Sequence, residues 1–157
     1  MNAPYARRAT VKKPPKKKAP KKKPAKLPAL EQQKLALAAS PKAQALLKKV
    51  RAICLDFPEV AEVEAWGHPT FRAGGPKGKI FATFGGGETG SSMSMKTTLD
   101  FQQVLVHADP RFTIAHYVGK HGWVTFSFTG TIDWKQLASL VRASYKAIAP
   151  KKLADAV

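Results

Sequence analysis

Apolar residues recur first at the period of a helix and then at the period of a strand, and the change of period lays out the fold. Ser40-Pro41 supplies a helix start, Ser as N-cap and Pro at the first helical position. Ala43, Leu46, Leu47, Val50, Ile53 and Cys54 follow at i, i+3, i+4, i+7 spacing, which predicts a helix with one buried face, closed by Phe57-Pro58. From Val60 the period becomes two. Val60 to Trp66, Thr70 to Arg72, Lys79 to Phe84 and Ser92 to Lys96 alternate, with Gly74-Gly75-Pro76 as a turn. Thr97 is predicted to cap a short helix, with Asp100 three residues on, carrying Phe101, Val104 and Leu105 inward. Two further strands are expected at Phe112 to Val118 and Trp123 to Thr129, the second with Val124, Phe126 and Phe128 on one face. Asp133 and Gln136 form a capping-box pair for a last helix, along which Trp134, Leu137, Val141, Tyr145 and Ile148 share a face before Pro150. Runs of strands with short turns favour an antiparallel sheet covered by helices on one face. The expected class is α+β, two-layer, in the order α-β(3)-α-β(2)-α.

The N-terminal segment obeys neither period. Arg7, Arg8, Lys12, Lys13, Lys16, Lys17, Lys18, Lys21, Lys22, Lys23 and Lys26 stand among Pro and Ala, and the first thirty residues hold no Asp or Glu. Such a stretch cannot bury enough apolar surface to offset the entropy of ordering, and its like charges repel. Prolines keep it extended. The chain therefore divides into a disordered basic arm (1–28), a lead-in open to helix (29–40), an α+β domain (41–153) and a short tail (154–157). The formal net charge is +17, whereas residues 31–157 carry sixteen basic against ten acidic side chains, so most of the excess belongs to the arm. An extended cationic arm is a ligand for polyanions.

Other chemistry is scarce. No segment approaches the ~20 apolar residues that span a bilayer, so no membrane partner is expected. The basic N-terminus lacks an apolar h-region and is neither Arg-rich nor amphipathic, so it reads as neither secretory signal nor mitochondrial presequence. In a eukaryotic host its lysines would suit nuclear localisation. Cys54, the one cysteine, reads as a buried hydrophobe in a reducing compartment. Gly85 to Gly90 match G-x-G-x-x-G, but the following Ser91 to Met95 alternate like a strand, and a dinucleotide cradle needs a helix there; a hairpin loop is expected. His68, His107, His116 and His121 show no zinc spacing, and no nucleophile is assembled beside a base. No metal, cofactor or catalytic residue is expected. Glu59, Glu62 and Glu64 form an acidic cluster, with Glu62 and Glu64 placed by alternation on the solvent side of a strand.

The stretch Trp66-Gly67-His68-Pro69-Thr70-Phe71-Arg72 is the densest in functional side chains. Its Gly-His-Pro interrupts the strand pattern, so Trp66 and Phe71 bracket a tight bend. Either both aromatics are core and His68 satisfies a turn, or His68, Arg72 and Lys79 present cations beside aromatic faces, an arrangement suited to phosphates and stacked bases.

With Lys77 to Ala82, the Ser94-Met95-Lys96 strand, the Asp109-Pro110-Arg111-Phe112 turn, Gly122-Trp123-Val124 and the final helix with Ser144-Tyr145, that stretch closely resembles the MmcQ/YjbR family. The resemblance covers roughly Ala43 to Leu153. It implies a DNA-binding-like domain of α-β(3)-α-β(2)-α order, similar to frataxin-like and double-wing folds, and it supplies no catalytic residues. The arm and the Gly85–Gly90 loop look like additions to the family pattern.

The combined expectation is a non-enzymatic, monomeric nucleic-acid-binding protein of the cytoplasm, nucleoid-associated in a bacterial host. DNA is favoured over RNA, with phosphate contacts and little sequence selectivity. The arm would provide the charge, and His68, Arg72, Lys79, Lys96 and Lys120 would orient the domain. The alternative is a module that holds an acidic protein partner or an anionic small molecule around Trp66, Phe71 and Trp123, with the arm only localising it.

Overall fold

The structure, a computed structural model, describes residues 28–87 and 90–157. The arm and its eleven cations therefore lie outside the described residues, as do Glu88 and Thr89 of the glycine loop. The lead-in is helical, α1 (Ala29–Ala39), and α2 (Pro41–Cys54) follows at once. Ser40 Oγ accepts from the Ala43 amide at 3.2 Å, so the Ser-Pro start works as the sequence predicts. Four strands come next: β1 (Val60–Ala65), β2 (His68–Ala73), β3 (Lys79–Gly87) and β4 (Gly90–Lys96). Then follow α3 (Leu99–Ala108), β5 (Phe112–Ile114), a 3-10 turn (Gly119–His121), β6 (Trp123–Ser127), α4 (Trp134–Ile148) and α5 (Lys151–Ala154).

All six strands form one antiparallel sheet in the order β1-β2-β3-β4-β6-β5, so the α+β class stands, with four strands rather than three ahead of α3. β3 and β4 run to Gly87 and Gly90, which makes the glycine run the end of a hairpin followed by a strand. The helices pack on the sheet face that carries Phe71, Phe84, Met93, Met95, Val124 and Phe126, all essentially buried. α4 brings Leu137, Val141 and Tyr145 to this face, and α2 brings Leu47, Val50 and Cys54. Burial pushes the Cys54 thiol well above its ordinary range. Val157 also packs against the core.

Two details fix how α4 sits. Phe71 pairs with Ala82 while Arg72 pairs with Ile80, so Phe81 is an extra residue on β3, a bulge that lets Phe81 and Ala82 both be buried. Phe81 meets Tyr145 edge-to-face at 5.2 Å, and Phe57 stacks on Tyr145 at 4.9 Å. Tyr145 donates its hydroxyl to the Pro58 carbonyl at 2.6 Å. Continuing the β3–β4 register one step would set Phe81 opposite Lys96. There the Ser144 hydroxyl of α4 stands between the strands, accepting from the Lys96 amide at 2.8 Å and donating to the Phe81 carbonyl at 2.6 Å.

Several local expectations shift. Thr98, not Thr97, caps α3, accepting from the Phe101 amide at 3.2 Å. The inward face then carries Gln102 and Leu105, while Phe101 and Val104 are exposed. Gln102 is buried because its amide donates to the Gly119 and Trp123 carbonyls, each at 2.8 Å. β5 stops at Ile114, and Tyr117 takes a left-handed φ of 61° in the loop beyond. Glu62 and Glu64 are not free on a solvent face. Arg51 of α2 forks onto Glu62 with two bonds of 2.7 Å, and Lys34 of α1 reaches Glu64 at 2.9 Å. β1 is an edge strand, so its carboxylates lie within reach of helical cations.

Ser144→Ala should lower stability by about 2–3 kcal/mol, because two backbone groups lose their partner at once. Urea unfolding checks this, and a loss below about 0.5 kcal/mol would mean that β3 and β4 close on each other without the hydroxyl.

Candidate functional site

The structure divides the predicted site residues among three places. His68 and Arg72 belong to β2 and share the sheet face that no helix covers among the described residues. Across this face, in register, runs a row of small hydroxyl side chains: Thr70, Thr83, Ser94, Thr125 and Thr113. Most are already engaged, Thr70 donating to the Val63 carbonyl at 2.5 Å and Ser94 bonding Thr125 at 2.8 Å. The register sets His68 opposite Gly85, where an added Cβ would come within 2.6 Å of Nδ1. Glycine there leaves room for the imidazole to lie against β3. Desolvation lowers the His68 pKa, and Nδ1 is buried without a hydrogen-bond partner among the described residues. Arg72 is similar: Nη1 reaches the Gly78 carbonyl only at 3.5 Å, and Nε is buried with no partner among the same residues. A neutral imidazole and a half-buried guanidinium give this face little positive field.

The aromatics of the Trp66–Arg72 stretch separate. Trp66 and Gly67 have φ of 51° and 73°, the paired left-handed residues of a two-residue hairpin turn between Ala65 and His68. Trp66 is 68% exposed at its tip, whereas Phe71 is wholly buried on the helix side. Phe71 therefore does not share a surface with Trp66, and the expected pocket around Trp66, Phe71 and Trp123 does not form. Lys79 is exposed opposite Ala73, at the far end of β2 from His68.

Lys96 and Lys120 do come together. With His121 they line an open cleft of ≈ 600 Å³, whose walls include Thr98, Phe101 and Ala143. Lys96 enters it because β4 ends at the Ser144 wedge, and its ammonium donates to the His121 carbonyl. No group of three or more His, Cys, Asp or Glu is arranged to hold a metal among the described residues.

A further concentration of charge lies on helices that the sequence reading treated only as core. α2 carries Lys42, Lys48, Lys49 and Arg51, α4 carries Lys135, Arg142 and Lys146, and neither contains Asp or Glu. The signal was present in the sequence as two carboxylate-free windows some eighty residues apart; only the fold makes them neighbours.

His68 should titrate below the ordinary histidine range, near 6.5. Its neutral form is the one the fold favours, so its contribution to stability is full above the ordinary value and is lost as pH falls from there through the lower folded pKa. Gly85→Ala, by displacing the ring toward water, should raise the His68 pKa toward the ordinary value. Proton NMR titration reads both, and an ordinary pKa in the parent chain would mean the ring is hydrated.

A model of the YjbR family matches residues 55–147. Two crystal structures share the fold. One is Deinococcus radiodurans protein DR2400, with a DUF419 domain: 23% identity, TM-score 0.60, covering 68% of this chain and 80% of that one. The other is a protein from Pseudomonas syringae: 16% identity, TM-score 0.52, covering 67% of this chain and 97% of that one. At these identities the likeness shows the fold alone. No curated protein matches the chain.

Proposed function

The chain belongs to the YjbR family, and we propose that this member is a non-enzymatic nucleic-acid-binding protein whose basic arm supplies most of its affinity. One observation carries the reading: eleven Lys or Arg and no carboxylate fall in the first thirty residues, ahead of a domain of modest net charge. Each arm lysine that neutralises a phosphate releases condensed counterions, and lysine contributes as a point charge with little base selectivity. DNA is the favoured substrate, and in a bacterial host this places the protein on the nucleoid. The lysines at the cleft, Lys96 and Lys120, add positive charge on the domain itself.

The cleft favours a second reading. Two ammonium groups beside Leu99 and Phe101 suit a small organic anion with an apolar part. A saturable rise in melting temperature with such a ligand, abolished by Lys120→Ala, would support it.

Engagement of about five to eight phosphates gives a log-affinity slope near −5 to −7 against log salt. Fluorescence anisotropy with a mixed-sequence duplex should show that slope for the full chain. For a chain beginning at Leu27, affinity near 150 mM salt should fall at least tenfold and the slope should shrink by more than half. Every described residue, including the core residues from Leu37 onward, is kept in the shortened chain. Equal binding by both chains would remove the arm from the function, and no binding by either would sink the reading.

A further inference from the structure

We propose that the outer face of α2 and α4 is where the domain lies against the phosphate backbone of a duplex. This rests on the nucleic-acid reading above and assigns it a surface that neither the family nor the arm supplies. α2 and α4 pack side by side on the sheet, and their outward positions include Lys42, Lys48, Lys49, Lys135, Arg142 and Lys146, all exposed. The seventh helical cation, Arg51, is drawn inward by Glu62. Lys49 Nζ lies 4.9 Å from the centre of the Trp134 ring, so an α2 cation sits at the seam between the helices. Lys42, Lys48, Lys135 and Arg142 have no ion-pair partner among the described residues.

The carboxylates are elsewhere and several are spent. Glu62 and Glu64 face Arg51 and Lys34, Asp109 is held by Arg111, and Asp155 by Lys151. Asp133, at the start of α4, accepts the Lys135 and Gln136 amides at 3.0 Å each. Nothing acidic interrupts the cationic strip along either helix. At ~1.5 Å per residue, Lys42 to Lys49 spans about 10 Å and Lys135 to Lys146 about 16 Å, on axes about 8–10 Å apart. Those distances suit several successive phosphates on a regular backbone.

The same face argues for a duplex over a single strand. Non-specific single-strand binders stack bases on exposed rings, and among the described residues neither α2 nor α4 presents one; the exposed ring beside them, Phe101 of α3, lies in the cleft against Ala143 and Ala147. Trp134 packs against Phe128 at 5.9 Å and is covered by Lys49. The most exposed aromatics, Trp66 and Tyr117 (68% and 97%), stand on loops at strand ends instead. What remains is charge and small side chains, which read a backbone and not its bases.

Two full-length variants of equal charge change separate the face from net charge: Lys48→Glu with Arg142→Gln, and Lys77→Glu with Pro76→Glu, both exposed at the β2–β3 turn. A mixed-sequence 20-base-pair duplex and a 20-nucleotide single strand serve as probes, with circular dichroism confirming that both variants fold. The helix-face variant should bind the duplex at least tenfold more weakly, with the salt slope reduced in magnitude by about two, while the turn variant changes less than threefold. Equal weakening by both, or none by the first, would overturn the assignment and leave the arm reading standing. Tighter binding of the single strand than of the duplex by the parent chain would also overturn it. Failure of the parent to bind either probe would remove the nucleic-acid reading itself.

Discussion

A single hydroxyl sets the arrangement of this domain. Ser144 stands where β3 and β4 would otherwise continue their ladder, taking the Lys96 amide and giving to the Phe81 carbonyl. A backbone donor and acceptor at the end of a buried ladder must find partners, and here the partner belongs to a helix. α4 is thereby pinned to the middle of the sheet in one rotation. Tyr145 follows into the aromatic group with Phe57 and Phe81, and its hydroxyl ties the loop after α2 through Pro58. The bulge at Phe81 belongs to the same arrangement, since it turns that ring toward Tyr145. Beyond the wedge β4 is released, and Lys96 leaves the ladder for the cleft.

Once α4 is fixed by what it buries, its outer positions are free of packing duty, and their composition becomes informative. Like charges three or four residues apart on a helix cost a few tenths of a kcal/mol each, and Arg142 with Lys146 is such a pair. Most exposed helices relieve this by mixing in Glu. α2 and α4 do not, although the domain has carboxylates and places them on β1, in loops and in the first turns of α1 and α3. A surface that keeps its own repulsion is costly alone and favourable against a polyanion, because the partner's charge removes the cost on contact.

Much of the fold was legible because local chemistry and tertiary need agreed. Ser40-Pro41 and Asp133 start helices as they should, and Val124, Phe126 and Phe128 face inward together. α3 starts one residue later than its sequence predicts, because Thr97 and Thr98 are both competent caps. One step rotates a helix by 100°, which turned Phe101 and Val104 outward. Nothing local announces that Gln102 will be buried, since its partners are carbonyls from the distant segment around Gly119 and Trp123. Alternation along β1 had the right period, yet Glu62 and Glu64 meet helical cations, a fact that depends on which strand is the edge. In the candidate site, proximity along the chain works for His68 and Arg72, which alternation in β2 sets on one face. It fails for Trp66 and Phe71, which the sheet sends to opposite environments.

The arm and the helix face also differ in what each can do to a polyanion. Lysines on an extended chain neutralise phosphates wherever they land, so an arm confers affinity without geometry. Cations on two packed helices hold fixed spacing, so they favour a regular backbone over an irregular one. Joined in one chain, the second contact is intramolecular once the first is made, and its effective concentration reaches the millimolar range for a short linker. A face too weak to bind on its own can then still decide orientation. On this account the arm sets how tightly the protein holds nucleic acid, and the side chains held in place by the Ser144 wedge set which way it sits.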